Sequence, residues 1–516
     1  MKKLLTIIAA VSLLASCQVG SQYQTTTQKH VTEICKAAPF DMSIVVPKFP
    51  GMVYNVLDYG ADPTGNLLSH EAFQRAIDLC SETGGGTVLI PAGVYVTGPI
   101  DLKSNVRLYT EYNAFIQFSD DFSLYPVLDA SFEGLDTKRC QSPISARNAE
   151  NIAITGHGTF NGKGDSWRPL KSTKVTASQW KQKIKTGVVN EATGVWFPDS
   201  AAMKAIALCQ DQNVPVLPAD ASQEEWEAIR SFLRPVMLNF INCKNVLLEG
   251  VCFENSPAWN LHPFLCENVV LRDLNVRNPW YSQNGDGVDV ESCKNVLIED
   301  CRFDVGDDAI CMKSGKNEDG RRRGIPAENI YVKNCVVYHG HGGFVVGSEM
   351  SGGVKNCNVE DCLFIGTDVG LRFKSTRGRG GVVENIFINR INMSDIVNEA
   401  LLFDLFYGGK GSGEETEEEI AARMGGSIPE VDETTPAFRD ITIQNVICKG
   451  SKQSIYFNGL PEMKIQNVNL ANIQMSGKKG AKFNQTNGLT LKNVVIEAEE
   501  GEPIMLSNSV DNVSIE

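Results

Sequence analysis

Basic residues are in short supply in this 516-residue chain: 48 Lys and Arg face 62 Asp and Glu, for a formal charge of −14. Phosphate binding needs a basic surface, so nucleic acid is excluded as a partner. Long apolar runs are missing as well. Leu4 to Leu14 form a short hydrophobic stretch, well below the roughly 20 residues that cross a bilayer. No later stretch is long and apolar enough to do so. Disorder-promoting tracts are also lacking, and a hydrophobic share of 42% supports a sizeable core. The acidic balance sits badly with an anionic polysaccharide, so any such substrate must be met by a local cluster of cations.

The N-terminus has the build of a targeting segment. Lys2-Lys3 precede the apolar stretch, which ends in Leu14-Ala15-Ser16-Cys17. This is similar to a bacterial lipobox, with Cys17 as the residue to be acylated. Residues 1–16 are therefore expected to be a lipoprotein signal peptide, and 17–47 a tether. The membrane is met only through that lipid anchor, in the cell envelope, periplasmic or on the outer membrane. Removing 1–16 takes Lys2 and Lys3 and leaves a charge of −16.

Fourteen further cysteines in an extracytoplasmic chain would ordinarily mean disulfides. Their positions point elsewhere. Cys301, Cys335 and Cys362 recur at one point of an internal repeat, after Glu299-Asp300, Lys333-Asn334 and Glu360-Asp361. Free cysteine packs as a small hydrophobe, so an interior ladder of thiols is expected.

The repeat reads Asn-apolar-x-apolar-x-Asp/Asn. It occurs at Asn151, Asn245, Asn268, Asn295, Asn329, Asn385 and Asp440, and again near Leu489 and Asn512. Alternating apolar and polar residues have the period of a half-buried strand, and the period of the copies is that of a solenoid. Such units bury their apolar faces only by stacking. Helical patterning is nearly absent, which favours a parallel β-helix over leucine-rich or helical repeats. The exception is Ser69–Cys80, an amphipathic helix with a capping-like serine, suited to covering the first coil. One solenoid domain is expected over 48–516, with inserted loops near 163–235 and 408–438.

Stacking converts spacing into neighbourhood. Four strands end in Ser292, Ser314, Ser348 and Ser375. Aligned there, Asp286 and Asp308 fall six residues before the serine, and Asp307 and His341 seven before. Arg372 lies three before its serine and Lys374 one before. Rungs are about 4.8 Å apart, so three carboxylates, an imidazole and two cations share one side. Asp is common in solenoid turns, and a lone pair would be punctuation. Three stacked like charges, however, cost free energy unless they have a use. Crowding raises one carboxyl pKa and leaves an acid beside ionised bases, as glycoside hydrolysis requires.

Four motifs in order, Asn284-Gly-Asp286, Gly306-Asp-Asp308, Gly340-His-Gly342 with Gly347-Ser348, and Arg372-Phe-Lys374, resemble those of glycoside hydrolase family 28, the polygalacturonases. Tyr54–Gly65 and Gly156–Gly162 are similar to it too, so the resemblance spans about residues 50–516. It implies an all-β, right-handed parallel β-helix, the pectin-lyase-like solenoid, with a short N-terminal capping helix. It implies an inverting hydrolase of polygalacturonate without cofactor or metal. Asp307 would be the general acid, while Asp286 and Asp308 would hold and deprotonate water. His341 would position the proton of Asp307. Arg372 and Lys374 would bind a galacturonate carboxylate, Tyr407 would contact sugar, and Asn284 would orient the Asp286 loop. Phe373 departs from the family's usual Ile, and strand alternation should turn it away from the cleft. Inversion predicts acid and base carboxyls roughly 6.5–9.5 Å apart.

The 163–235 insert suggests exo action, releasing galacturonate, by walling off one end of the groove. Arg321–Arg323 and Arg377–Gly381 are either further carboxylate-binding cations or a solvated charge run. Trp259, His262 and Trp280 line subsites or pack internally. The expected partner is a pectic polysaccharide or oligogalacturonide, met by a monomer. Alternatives are a rhamnogalacturonan or xylogalacturonan hydrolase, a calcium-dependent pectate lyase, and a non-catalytic glycan-binding β-helix.

Overall fold

A computed structural model describes residues 24–211, 213–407 and 428–516. Cys17, the signal peptide and most of the 408–438 insert lie outside the described residues. The chain divides into two compact units. In the described residues, the first comprises 24–129, 138–277 without 212, and 295–301, and the second 130–137, 278–294 and 302–516 without 408–427. Both are made of parallel β-helix coils, and the fold class is the right-handed parallel β-helix.

In the first unit each coil supplies up to three strands. One ladder runs through Val53–Asn55, Gly86–Ile90, Val106–Thr110, Glu150–Gly156, Lys244–Glu249 and Glu267–Arg272, every pair parallel. The repeat asparagines make its corners. Asn151, Asn245 and Asn268 all take φ of 54–59°, a left-handed conformation that Asn tolerates better than most residues. Their amides donate up the stack at 3.0–3.1 Å, Asn268 to Asn245, Asn245 to Asn151 and Asn151 to Asn105. The side chains thus satisfy one another in place of water.

The helix runs His70–Glu82 and buries Ala72, Phe73, Ala76, Ile77 and Cys80. Ser69 precedes it without capping it; its hydroxyl accepts from the Asp62 amide instead. Two expectations need correction here. Residues 24–47 are not a free tether, since Gln28–Cys35 is a helix that buries Val31, Ile34 and Cys35. Thr26 bonds Glu249 at 2.8 Å and His30 meets Glu299 at 2.7 Å. Apolar residues at helical spacing after the Thr27 cap explain the docking. The 163–235 insert, likewise, is more than loop. It holds a three-stranded antiparallel sheet and short helices over an apolar cluster that includes Trp167, Phe197, Phe232 and Leu233.

In the second unit Val288–Glu291, Asp308–Lys313, Gly342–Val346 and Leu371–Lys374 stack in register, then continue into Val382–Asp404, Ala437–Asn458, Ile465–Asn484 and Thr486–Leu506. Alternate residues enter the core. Phe373 is one of them, stacked on Phe403 at 4.3 Å, followed by Phe457 and Phe483. Each such aromatic pair adds about 0.5–1.5 kcal/mol beyond area burial. The described cysteines are free thiols, and Cys335 and Cys362 are buried on neighbouring rungs with a hydrogen bond between them.

Candidate active site

Register brings the expected residues together. Ile310 pairs with Phe344 and Phe344 with Leu371, which aligns Ser314, Ser348 and Ser375. Val288 pairs with Ile310, so Asp286 and Asp308 occupy one column, and Asp307 shares the next with His341. The bends before these strands are tightly packed. A Cβ on Gly285 or Gly306 would come within 2.4 Å of the Ser282 hydroxyl, so only glycine lets the chain turn there. Asn278 clamps the first bend by donating to the carbonyls of Gly285 and Asp286. Asn284, at φ 53°, donates to Glu133 at 3.2 Å.

One oxygen from each of Asp286, Asp307 and Asp308 lies within 4.8 Å of the others. This closeness follows from the ladder, whose rungs are about 4.8 Å apart.

The environments of the aspartates differ. Asp308 is buried, which alone would raise its pKa, but Lys374 at 2.7 Å and Arg372 at 3.4 Å bring it down to about 2. In return Asp308 raises both cations against the effect of burial. Asp286 is pushed well above the carboxylate range by burial, then by Asp289 and Asp307. Asp307 is the most open of the three, its side chain 24% exposed. His341 Nδ1 stands 3.0 Å from Asp307 Oδ1, and that contact raises the imidazole pKa. Its Nε2 is 3.7 Å from Asp368. Tyr407 lies beneath both cations, its ring centre 4.9 Å from the Lys374 ammonium and 5.6 Å from the Arg372 guanidinium.

A buried network next to this cluster escaped the sequence reading. Lys313 reaches Glu349 at 2.9 Å and Asp289 at 3.6 Å, all three buried. Burial would raise Glu349, yet Lys313, Lys374 and Arg379 hold it well below the usual range. Lys313 precedes Ser314 as Lys374 precedes Ser375, so the same alignment could have found it.

Several candidates are placed elsewhere. Arg321 donates to the Gly378 carbonyl, Arg322 and Arg323 pair with Asp136, and Arg377 binds both oxygens of Glu462. These cations tie loops together. Trp259 and His262 are core residues in edge-to-face contact, whereas Trp280 is 61% exposed.

An acid that can meet solvent, two buried carboxylates of opposite protonation tendency and a cation pair can between them protonate a glycosidic oxygen, hold a water and bind a uronate. Those are the parts that glycoside hydrolysis needs, set on a parallel β-helix. A family model described as "Glycosyl hydrolases family 28" matches residues 228–422, and one described as "Rhamnogalacturonase A/epimerase, pectate lyase-like" matches 53–196. Over residues 228–422 the chain is therefore similar to glycoside hydrolase family 28. It is 26% identical over 485 residues to an exo-poly-alpha-D-galacturonosidase of Dickeya chrysanthemi, covering 89% of this chain and 76% of that one. It is 27% identical over 349 residues to a probable polygalacturonase of Vitis vinifera, covering 66% of this chain and only 60% of the relative's length. Among solved structures, an exopolygalacturonase from Thermotoga maritima superposes with a TM-score of 0.67 at 29% identity, covering 95% of this chain and 96% of that one. A family 28 exopolygalacturonase of Yersinia enterocolitica has the same fold, with a TM-score of 0.70 at 23% identity over 90% and 78% of the two chains.

Proposed function

We propose that this chain hydrolyses α-1,4-galacturonosyl bonds of polygalacturonate, removing single galacturonates from the chain end with inversion. The carrying observation is the Asp308–Lys374–Arg372 cluster beside Asp286 and Asp307. Asp307 gives its proton to the leaving oxygen, and His341, hydrogen-bonded to it, keeps that proton in place. A water held by Asp286 and Asp308 attacks the anomeric carbon and gives its proton to this carboxylate pair. Arg372 and Lys374 bind the substrate carboxylate and answer the acidity of the whole protein. Tyr407 supports the sugar beside them, and Asn284 steadies the Asp286 bend. The exo mode rests on likeness to the Dickeya and Thermotoga proteins.

No step of this chemistry needs a metal. The three-carboxylate cluster has a spacing that could hold a cation, but Lys374 and Arg372 already balance Asp308. The test is product analysis on polygalacturonate with the purified protein, where monomer should appear first and mixed oligomers would refute the exo mode. Rhamnogalacturonan is a second candidate, motivated by the family model matching 53–196, and release of rhamnose-bearing oligomers from branched pectin would favour it.

The lipobox-like Leu14–Cys17 supports an envelope lipoprotein acting as a monomer on partly digested pectin. Among the described residues no helix is long and apolar enough to cross a membrane. Loss of membrane association and of lipid labelling in Cys17→Ser would bear the anchor out; retention of both would reject it.

A further inference from the structure

Beyond Arg372 the outward face of the second unit's ladder continues in register. Arg372 pairs with Leu402, Leu402 with Tyr456, and Tyr456 with Lys482. Their neighbours in sequence, Phe373, Phe403, Ile455, Phe457, Ala481 and Phe483, are buried, so alternation sends the first set outward on the face that carries Arg372. Lys482 lies three rungs past Arg372, roughly 14 Å at the strand spacing.

Two features single out this end of the column. Lys482 is half-buried and stands 5.9 Å from the Tyr456 ring centre, with no carboxylate partner among the described residues. Of the other lysines on these coils, Lys464 pairs with Asp511 and Lys478 with Glu500. Tyr456 is half-buried too, and Asn484 on the next rung hydrogen-bonds its hydroxyl, which fixes the ring. The parallel column Lys374, Asp404, Asn458, Asn484 is polar throughout, and Asn458 donates to Asp404 at 2.9 Å.

We propose that Tyr456 and Lys482 form a distal subsite for a uronate-bearing sugar chain, Tyr456 supporting a ring face and Lys482 pairing with a carboxylate. The site rests on the exo-polygalacturonate function above and adds to it a preference for longer substrate. An enzyme that removes one terminal galacturonate leaves the rest of the chain on the leaving-group side. Sugars lying along this column beyond Arg372 are therefore the leaving chain. A cation without an acidic partner beside a held aromatic suits an anionic sugar, and the site is continuous with the Arg372–Lys374 pair.

The experiment compares kcat/KM on digalacturonate and hexagalacturonate for the full chain, Lys482→Gln, Lys482→Arg and Tyr456→Leu. In Lys482→Gln the hexamer-to-dimer ratio should fall about two- to fivefold, the scale of a partly exposed ion pair, through KM and not kcat. High salt should shrink the difference, and Lys482→Arg should restore the ratio. Tyr456→Leu should lower the ratio if it folds, and if it does not, the Lys482 pair decides alone. An unchanged ratio in Lys482→Gln overturns the subsite while leaving the function intact. A wild type that cleaves neither substrate rejects the function, and the subsite with it.

Discussion

His341 Nδ1 and Asp307 Oδ1 stand 3.0 Å apart on adjacent rungs, and the contact raises the imidazole pKa above its ordinary value. The imidazole therefore keeps its proton to a pH above about 6.5, the usual point for histidine. In wild type the alkaline limb of kcat/KM should lie there. In His341→Gln the limb should move to lower pH, with rate lost more severely at pH 7 than at pH 4.5. An unmoved limb would show that the imidazole takes no part in holding the acid's proton. The stability carried by His341 has the same sign: present below about pH 6.5 and lost as pH rises through the elevated value.

Asp307→Asn keeps the shape of a partly open side chain and removes its proton. The rate should fall by about 10²–10⁴, the range for losing a general acid, with thermal stability nearly unchanged. Full rate in this variant would mean that another group protonates the leaving oxygen.

Asp286 couples function to a stability cost. Its pKa is raised by burial, then by Asp289 and Asp307, so its folded-state value exceeds the unfolded one. The proton it holds favours the fold below about pH 3.9, and that contribution is lost as pH rises through the elevated value. Asp286→Asn should therefore lose activity and gain melting temperature, the gain growing from pH 4 to pH 8. A melting temperature that falls at every pH would contradict this.

Lys374 works in the opposite sense. Its ammonium, after overcoming the effect of burial, holds Asp308 at about 2, and the stability so gained exists above about pH 3.9 and fades as pH drops through 2. Lys374→Met leaves Asp308 buried with only part of its charge balance, at a cost of about 3–5 kcal/mol. KM for polygalacturonate should rise, and the acid limb of the rate profile should shift upward. Unchanged KM would separate this lysine from substrate binding.

Two chemical readouts test the mechanism as a whole. Activity should survive exhaustive chelation without an ultraviolet-absorbing product, where a calcium-dependent eliminase would do neither. Proton NMR of early product should show the β-anomer first. The α-anomer first would mean that one of the aspartates acts as a nucleophile.

Much of this was legible because a solenoid turns sequence period into contact. Aligning four serines placed Asp286 over Asp308 and Asp307 beside His341, and the ladder register agrees. Phe373 turned inward as alternation required. The insert at 163–235 and the segment 24–47 were less readable, because they obey no repeat, and only their docking reveals the helix at Gln28–Cys35 and the cluster around Trp167.

The sequence by itself determined the coil and the column in which each polar residue stands, since both follow from spacing along one chain. Tertiary structure alone decided protonation and partnership. Asp286 and Asp308 share a column, yet one is pushed up by buried carboxylates and the other held down by Lys374 and Arg372. Arg322 and Lys482 are both cations, yet one is tied to Asp136 and the other stands without a carboxylate partner among the described residues. Charge balance depends on which atoms come within a few ångströms after folding, and no linear pattern encodes that distance.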